Sequence, residues 1–165
     1  MADHRPFTLL LIEDTPDDEM LALRALRSCG LPLFVRVARD GPGARRALGL
    51  DDEPGTADCQ VPDLVLSDLK IPGYGGDEVL RRARADARFA HVPYVIFSSS
   101  SEPEDVVRCL AFGASAYAQK PVGFQEYIEC VGSLARWSLA PDTMSKPPPC
   151  VIAAPRCSCG YQEAA

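Results

Sequence analysis

The sequence lacks a long hydrophobic run. No segment approaches the roughly 20 consecutive apolar residues that a membrane-spanning helix needs. The apolar run at residues 7–12 is too short for the core of a signal peptide, and it leads directly into two acidic residues without a small-residue cleavage site. We therefore expect a cytoplasmic protein that makes no contact with a membrane.

A cluster of basic residues is also missing. Seventeen Lys and Arg residues against 23 Asp and Glu residues give a formal net charge of −6, and the basic residues are dispersed along the chain. Proteins that bind nucleic acid directly usually concentrate positive charge on one face. No direct binding of nucleic acid is expected, and a length of 165 residues with 47% hydrophobic residues suits one globular domain.

The cysteines follow no recognisable framework. Their number, seven, is odd, and the four in the body of the chain stand alone, as small buried side chains do in a reducing compartment. These four are Cys29, Cys59, Cys109 and Cys130. The other three, Cys150, Cys157 and Cys159, could hold a soft metal ion, but no fourth ligand follows at a usual spacing. The sequence therefore predicts neither a disulfide nor a cysteine metal site.

Short apolar runs alternate with segments of helical periodicity along most of the chain. The runs cover residues 7–12, 33–38, 64–67, 94–97 and 114–118. Strands that alternate with helices form parallel sheets covered on both faces, so we predict an α/β fold with a doubly wound, five-stranded parallel sheet over residues 7–139. Beyond residue 139 the periodicity stops, and residues 140–165, with Pro147 to Pro149, are predicted to form a flexible tail that contains proline and cysteine.

Polar side chains follow four of the predicted strands. Glu13 and Asp14 follow the first strand, Asp68 the third, Ser98 the fourth and Lys120 the fifth. Taken singly, an aspartate could cap a helix and a lysine could be solvated. Ligands of open α/β sheets, however, bind outside the carboxyl ends of the strands, where all five side chains are expected to meet.

This combination of groups is typical of phosphoryl transfer. Three carboxylates at close range repel one another and recruit a hard cation with oxygen ligands, so Mg²⁺ or Mn²⁺ is the expected cofactor. Transfer of a phosphoryl group onto a carboxylate requires charge neutralisation, which a metal ion on one side and Lys120 on the other would supply. The hydroxyl of Ser98 could then donate to a phosphoryl oxygen.

The residues around these positions resemble the receiver domain of two-component response regulators. The acidic pair follows Leu-Leu-Leu-Ile, and Asp68 lies within Asp-Leu-Val-Leu-Ser-Asp-Leu-Lys-Ile-Pro-Gly. Ser98 follows Val-Ile-Phe, and Lys120 lies within Gly-Ala-Ser-Ala-Tyr-Ala-Gln-Lys-Pro. The resemblance covers about residues 7–138, and it implies the flavodoxin-like strand order 2-1-3-4-5.

The resemblance also implies a role for each site residue. Asp68 would be the phosphoacceptor, and Asp14, Asp68 and the backbone carbonyl of Lys70 would bind the metal ion, with Glu13 acting through water. Ser98 and Tyr117 would form a switch pair. The protein would not be an enzyme acting on other substrates, but a single-domain regulator that catalyses its own phosphorylation and dephosphorylation.

The resemblance further implies particular partners. A sensor histidine kinase would donate the phosphoryl group, with specificity set around residues 16–23. The Ala-Arg-Asp-Gly step at residues 38–41, the long loop before Pro62 and Trp137 resemble single-domain regulators that are partnered with bacterial phytochromes. The peptide bond before Pro121 is cis in this family.

Two other classes share the predicted fold. A phosphatase with an aspartate nucleophile usually carries a second acidic residue two positions after the nucleophile, where this chain has Lys70. A flavodoxin-like redox carrier needs a phosphate-binding loop after the first strand, where the acidic residues of this chain would repel a phosphate. Both alternatives are disfavoured. Within the receiver family, Ser98 replaces the more frequent threonine, and Lys70 occupies a position that tunes phosphoryl lifetime.

The last predicted helix suggests self-association. Phe124, Ile128, Val131 and Ala135 follow helical spacing and are expected to face the sheet. Tyr127, Leu134 and Trp137 then lie on a separate apolar stripe that would otherwise meet water. The sequence therefore predicts a homodimer through the face formed by the fourth helix, fifth strand and fifth helix.

Overall fold

A computed structural model of the chain describes residues 5–50, 60–144 and 146–155. Within these residues the chain forms six strands and five α-helices. The strands are β1 (Phe7–Ile12), β2 (Leu33–Ala38), β3 (Leu64–Ser67), β4 (Tyr94–Ser98), β5 (Ala116–Gln119) and β6 (Val151–Ala153). The helices are α1 (Pro16–Ser28), α2 (Gly41–Leu48), α3 (Gly76–Arg84), α4 (Pro103–Ala111) and α5 (Phe124–Leu139).

The strands form one sheet in the order β2-β1-β3-β4-β5-β6. The five predicted strands are parallel to one another, which confirms the doubly wound fold and the strand order 2-1-3-4-5. Strand β6 was not predicted, and it pairs with β5 in the antiparallel direction. The sheet is therefore mixed, with a parallel core and one antiparallel edge strand.

Strand β6 corrects the prediction that the residues beyond 139 form a flexible tail. Val151, Ile152 and Ala153 are apolar, and they satisfy backbone groups that β5 would otherwise leave unpaired at the edge of the sheet. The N–H of Gln119 donates to the carbonyl of Cys150 at 2.9 Å. The remainder of the predicted tail, residues 156–165 with its last two cysteines, lies outside the described residues, as does Cys59.

Helices cover both faces of the sheet. Alternate residues of β1 point to opposite faces: Leu9 and Leu11 pack with helices α1 and α5, and Leu10 and Ile12 pack with helices α2, α3 and α4. Because both faces are buried, the central strands read as continuous apolar runs. None of the helices in the described part of the chain is long and apolar enough to cross a membrane.

The orientation of α5 differs from the prediction in part: Val131 and Ala135 are buried, as predicted. Tyr127 and Leu134 are buried against α1 and the sheet, whereas Phe124 is half exposed. The Tyr127 ring meets the edge of Phe97 at 5.2 Å between ring centroids, and its hydroxyl donates to the carbonyl of Asp18 at 3.2 Å. The prediction that Tyr127, Leu134 and Trp137 form an exposed stripe is therefore wrong, since Trp137 is also partly buried against the core. The Tyr127 ring can be buried because its hydroxyl finds a partner.

Cys130 and Cys150 form a disulfide, contrary to the expectation from sequence. Strand β6 carries Cys150 back to α5, where the two Cα atoms lie 6.1 Å apart, within the range that a disulfide requires. Cys29 and Cys109 are free and buried, which confirms their predicted role as small core residues.

Candidate functional site

Backbone hydrogen bonds continue beyond the strand ends and position the predicted site residues. The N–H of Glu13 donates to the carbonyl of Ala38 at 2.9 Å, and the N–H of Asp68 donates to that of Ile12 at 2.9 Å. The N–H of Lys120 donates to the carbonyl of Ser98 at 2.8 Å. The parallel ladder therefore brings Ser98, at the end of β4, and the residues directly after β1, β3 and β5 to one edge of the sheet.

Glu13 is held almost completely inside the protein. Its side chain is 3% exposed, and its two oxygens accept from Thr15 N–H at 3.1 Å and from Lys120 Nζ at 2.6 Å. Burial raises the pKa of the Glu13 carboxyl, and the hydrogen bond and charge of Lys120 act against that rise. The Glu13 carboxylate consequently depends on a nearby cation.

Asp68 begins the loop that follows β3. Its Oδ1 accepts from the N–H of Leu69 at 2.6 Å and from that of Lys70 at 3.4 Å, while its Oδ2 accepts from Lys120 Nζ at 2.7 Å. Helix α3 begins directly against this loop, so closely that a Cβ at Gly76 would overlap the carbonyl oxygen of Asp68. A glycine at this position therefore allows the close approach of helix and loop.

Glu13, Asp14 and Asp68 form an acidic cluster. Each contributes a carboxylate oxygen, and these oxygens all lie within 4.8 Å of one another. An all-oxygen donor set of this kind fits Mg²⁺ or Mn²⁺, which retain several water ligands when few carboxylates bind them. The acidic cluster thus provides a chemically suitable metal site at the phosphoacceptor position predicted from the sequence.

The ammonium group of Lys120 lies at the centre of the site. It donates to Glu13, Asp18 and Asp68 at 2.6, 2.8 and 2.7 Å, and the lysine side chain is only 7% exposed. Burial by itself lowers the pKa of Lys120, but the charge of Asp68 and the three hydrogen bonds outweigh it, so the pKa is raised. Lys120 is therefore a permanently charged group at physiological pH.

Asp18 is a part of the site that the sequence reasoning did not assign. It lies in the first turn of α1, and its Oδ2 accepts from Lys120 Nζ at 2.8 Å. Together with the acidic cluster, Asp18 and Lys120 give the site a formal charge of −3, from four carboxylates and one ammonium.

The predicted switch residues lie on the same side of the sheet edge. Ser98 is 1% exposed, and its Oγ accepts from the N–H of Ser100 at 3.2 Å. Tyr117 is completely buried, and its hydroxyl donates to the carbonyl of Ser100 at 2.9 Å. Burial raises the pKa of the Tyr117 phenol, and its contacts with Ser98 and Ser100 oppose that rise. Ser100 therefore connects the two predicted switch residues.

An open cleft of about 510 Å³ lies beside the acidic cluster. Lys70 and Asp14 line it together with Arg108, which donates to Asp77 and Asp105 at 2.8 and 2.7 Å. The cleft gives a ligand a route to the acidic cluster from solvent. On the other side of the site, the peptide bond before Pro121 is trans, which corrects the cis bond implied by the family resemblance.

Comparisons with known proteins agree on one family. The family model described as "Response regulator receiver domain" matches residues 9–131 of this chain. The chain is 30% identical over 134 residues to the probable methanogenesis regulatory protein FilR2 of Methanothrix harundinacea (strain 6Ac), which covers 81% of this chain and 84% of the relative.

Two solved structures have the same fold as this chain. The phosphorylated cyanobacterial phytochrome response regulator RcpA superposes with a TM-score of 0.76 at 27% identity, over 83% of this chain and 96% of RcpA. The bacteriophytochrome response regulator AtBRR superposes with a TM-score of 0.62 at 37% identity, over 76% of this chain and 89% of AtBRR. Both similarities cover most of the known structure.

Proposed function

Because the chain belongs to the response regulator receiver domain family, we propose that it accepts a phosphoryl group on Asp68 and signals by a change of conformation. The observation that carries this proposal is the meeting of the acidic cluster and Lys120 at the Asp68 carboxylate. A sensor histidine kinase would be the donor. The protein is then a phosphoacceptor that promotes its own phosphorylation and dephosphorylation, rather than an enzyme with another substrate.

The reaction would proceed by attack of an Asp68 carboxylate oxygen on phosphorus. The P–N bond of a phosphohistidine breaks as the new O–P bond forms, the electron pair of the broken bond returns to the imidazole, and Asp68 becomes an acyl phosphate. Backbone N–H groups of Leu69 and Lys70 orient the carboxylate through its Oδ1. Lys120, 2.7 Å from Oδ2, is placed to pair with an oxygen of the incoming group.

A divalent ion would complete the charge balance. Glu13, Asp14, Asp68 and the backbone carbonyl of Lys70 are the proposed groups that hold Mg²⁺ or Mn²⁺. When bound, the metal ion would supply positive charge that offsets the charge of the carboxylates and of the incoming phosphoryl group. The formal charge of −3 at the site supports this proposal, because Lys120 alone leaves the carboxylates in excess.

The conformational signal would begin at Ser98. A phosphoryl group on Asp68 would offer Ser98 Oγ an acceptor, and the bond that Oγ now accepts from Ser100 N–H would then change. Ser100 also accepts from the Tyr117 hydroxyl and donates to Asp105 of α4 at 2.7 Å. A shift at Ser98 would consequently reach both Tyr117 and the start of α4.

We propose that the protein acts in the cytoplasm and that its kinase is a bacteriophytochrome. The similarity to RcpA and AtBRR, both phytochrome-associated by name, supports this partner. Met20 is 62% exposed within the stretch of α1 that the family resemblance assigns to kinase specificity, and such an exposed apolar side chain suits a protein contact.

We also propose a homodimer through helix α4, strand β5 and helix α5, but on a different observation from the one used in the sequence analysis. The buried Tyr127 and Leu134 no longer argue for it, but Val107 on α4 is 66% exposed. We expect Val107→Glu to lower the molar mass measured by light scattering if the parent is dimeric. A parent that remains monomeric at high concentration, with or without beryllium fluoride, would end the dimer proposal.

Intact-mass spectrometry with a small phosphoryl donor tests the proposed function. The parent should gain one phosphoryl group in the presence of Mg²⁺, and a chelator should abolish the gain. Asp68→Asn should gain none, whereas Asp17→Asn, which removes an exposed carboxylate from the same region, should behave as the parent. Equal phosphorylation of Asp68→Asn and the parent would refute the assignment.

A further inference from the structure

The disulfide between Cys130 and Cys150 connects helix α5 to the segment that leads into β6. We infer that this disulfide is a thiol–disulfide exchange site, at which a dithiol reductant releases β6 from the edge of β5. The inference does not depend on phosphorylation of Asp68, because it concerns a separate bond on the other side of β5.

The disulfide is accessible from solvent. Cys130 is 6% exposed, but Cys150 is only partly buried, and both line a groove of about 350 Å³ between α5 and residues 148–150. A groove of this size accommodates a small organic molecule. Cys29 and Cys109, by contrast, are buried, and burial raises the pKa of the Cys109 thiol to about 12. Among the four cysteines within the described residues, the bridged pair is therefore the one open to exchange.

The exchange needs two steps and one dithiol. A thiolate of the dithiol attacks Sγ of Cys150, which is the more exposed of the two residues, forms a mixed disulfide and expels the Cys130 thiolate. The second thiolate of the reductant then attacks the reductant sulfur that is bonded to Cys150, closes the disulfide of the reductant and releases the Cys150 thiolate. Two electrons pass to the protein, the reductant becomes a disulfide, and its two thiol protons end on Cys130 and Cys150.

Reduction would weaken the attachment of β6, which otherwise rests on a short ladder with β5 and on the packing of Val151 and Ala154 against the core. The strand has three residues, and its register with β5 is interrupted between Tyr117 and Ala118. A strand this short gains little from its ladder, whereas ordering the segment that leads to it costs conformational entropy. The covalent link removes much of that cost by keeping Cys150 near α5 in the released state as well.

The link also reaches the functional site through the backbone. The carbonyl of Cys150 accepts from the N–H of Gln119, the residue directly before Lys120. A second cavity of about 350 Å³ is lined by both Lys120 and Cys150. Release of β6 would expose the outer edge of β5 and loosen the segment that carries Lys120.

The chemistry also suits a reducing compartment. Disulfides there are rare, and those that form are mostly transient or redox-sensing rather than permanent. A pair that fastens one short edge strand can open without loss of the fold, since β6 lies outside the five parallel strands that build the core.

Hydrogen exchange measured by NMR tests the inference on single amides. In the oxidised parent, the Gln119 amide should be protected, and dithiothreitol should raise its exchange rate about tenfold or more. The Ser115 amide, which donates to Tyr94 on the opposite side of β5, serves as the internal control and should change little. The double variant Cys130→Ser with Cys150→Ser should match the reduced parent, with or without dithiothreitol.

Two results would overturn the inference. One is equal exchange of Gln119 in the oxidised and reduced parent. The other is a peptide map of the oxidised protein in which Cys150 is bridged to Cys157 or Cys159 instead of Cys130. A variant with serine at Cys59 and at both of those positions keeps the proposed pair and the two buried cysteines, Cys29 and Cys109, and it should reproduce the behaviour of the parent.

Discussion

Replacement of Lys120 by methionine tests the electrostatics of the site most directly. Methionine keeps much of the apolar length of the side chain and removes the charge. The ammonium now faces Glu13 and Asp68, whose side chains are 3% and 12% exposed, and Asp18, which is 31% exposed. Removing it leaves two nearly buried carboxylates without their cation.

The structure allows an estimate of the cost. At the observed N–O distances of 2.6–2.8 Å, each pair contributes about 6 kcal/mol of Coulomb attraction at an effective dielectric constant of about 20. The desolvation of Lys120 offsets much of this, and loss of one partner of a buried pair usually costs about 3–5 kcal/mol. We therefore expect Lys120→Met to lower the free energy of unfolding by about 3–5 kcal/mol at neutral pH without divalent ions.

The pH dependence distinguishes this cause from a packing defect. The pKa of Glu13 is already raised from 4.5, and loss of Lys120 should raise it further. A carboxyl group whose pKa is higher in the folded than in the unfolded protein destabilises the folded state at pH values above the unfolded pKa. This destabilisation is relieved as pH falls toward the pKa of the unfolded state. The deficit of Lys120→Met should therefore shrink as pH falls toward 4.5, and Mg²⁺ should reduce it at neutral pH by binding the folded state.

Urea unfolding followed by far-UV circular dichroism measures these differences, with Lys146→Met as the matched control. Lys146 is exposed, so the control removes the same charge and should change stability by less than about 1 kcal/mol. The reasoning fails if Lys120→Met is no less stable than the control. It also fails if the deficit of Lys120→Met is the same at neutral pH and near pH 4.5.

Three further predictions concern other parts of the molecule. Ser98→Ala should still be phosphorylated but should show little hydrogen-exchange change in α4 on phosphorylation, and changes equal to those of the parent would exclude the proposed coupling. Hydrogen bonds from Arg81, and then from Arg82, hold the pKa of Glu78 at about 2 against its burial. Arg81→Ala should move the pKa of Glu78 toward 4.5 in an NMR titration, and an unmoved pKa would contradict the ion pair. The ion pair stabilises the folded protein above pH 4.5, and this stabilisation is lost as pH falls toward 2, so the variant should lack it. Reduction of the disulfide, whose cysteines are 20 residues apart, should lower the thermal unfolding midpoint, with a loss of stability of at most about 3 kcal/mol, and an unchanged midpoint would contradict a stabilising link.

The alternation of apolar runs and helical segments determined the parallel sheet and its helices. A strand buried on both faces must be apolar along its length, and this leaves a local signal at residues 7–12 and 64–67. The positions of Asp68 and Lys120 after their strands followed from the same local pattern. These predictions held because each depends on a few neighbouring residues and on the rule that parallel strands end at one edge.

Only the tertiary structure decided which side chains meet across long stretches of sequence. The bond of Asp18 to Lys120 joins residues 102 positions apart, and the burial of Tyr127 depends on an acceptor in α1. The pairing of Cys130 with Cys150 requires β6, whose three residues carry too little periodicity to be recognised as a strand. Contacts of this kind depend on how elements pack, and no short stretch of sequence specifies which distant side chain will be the partner.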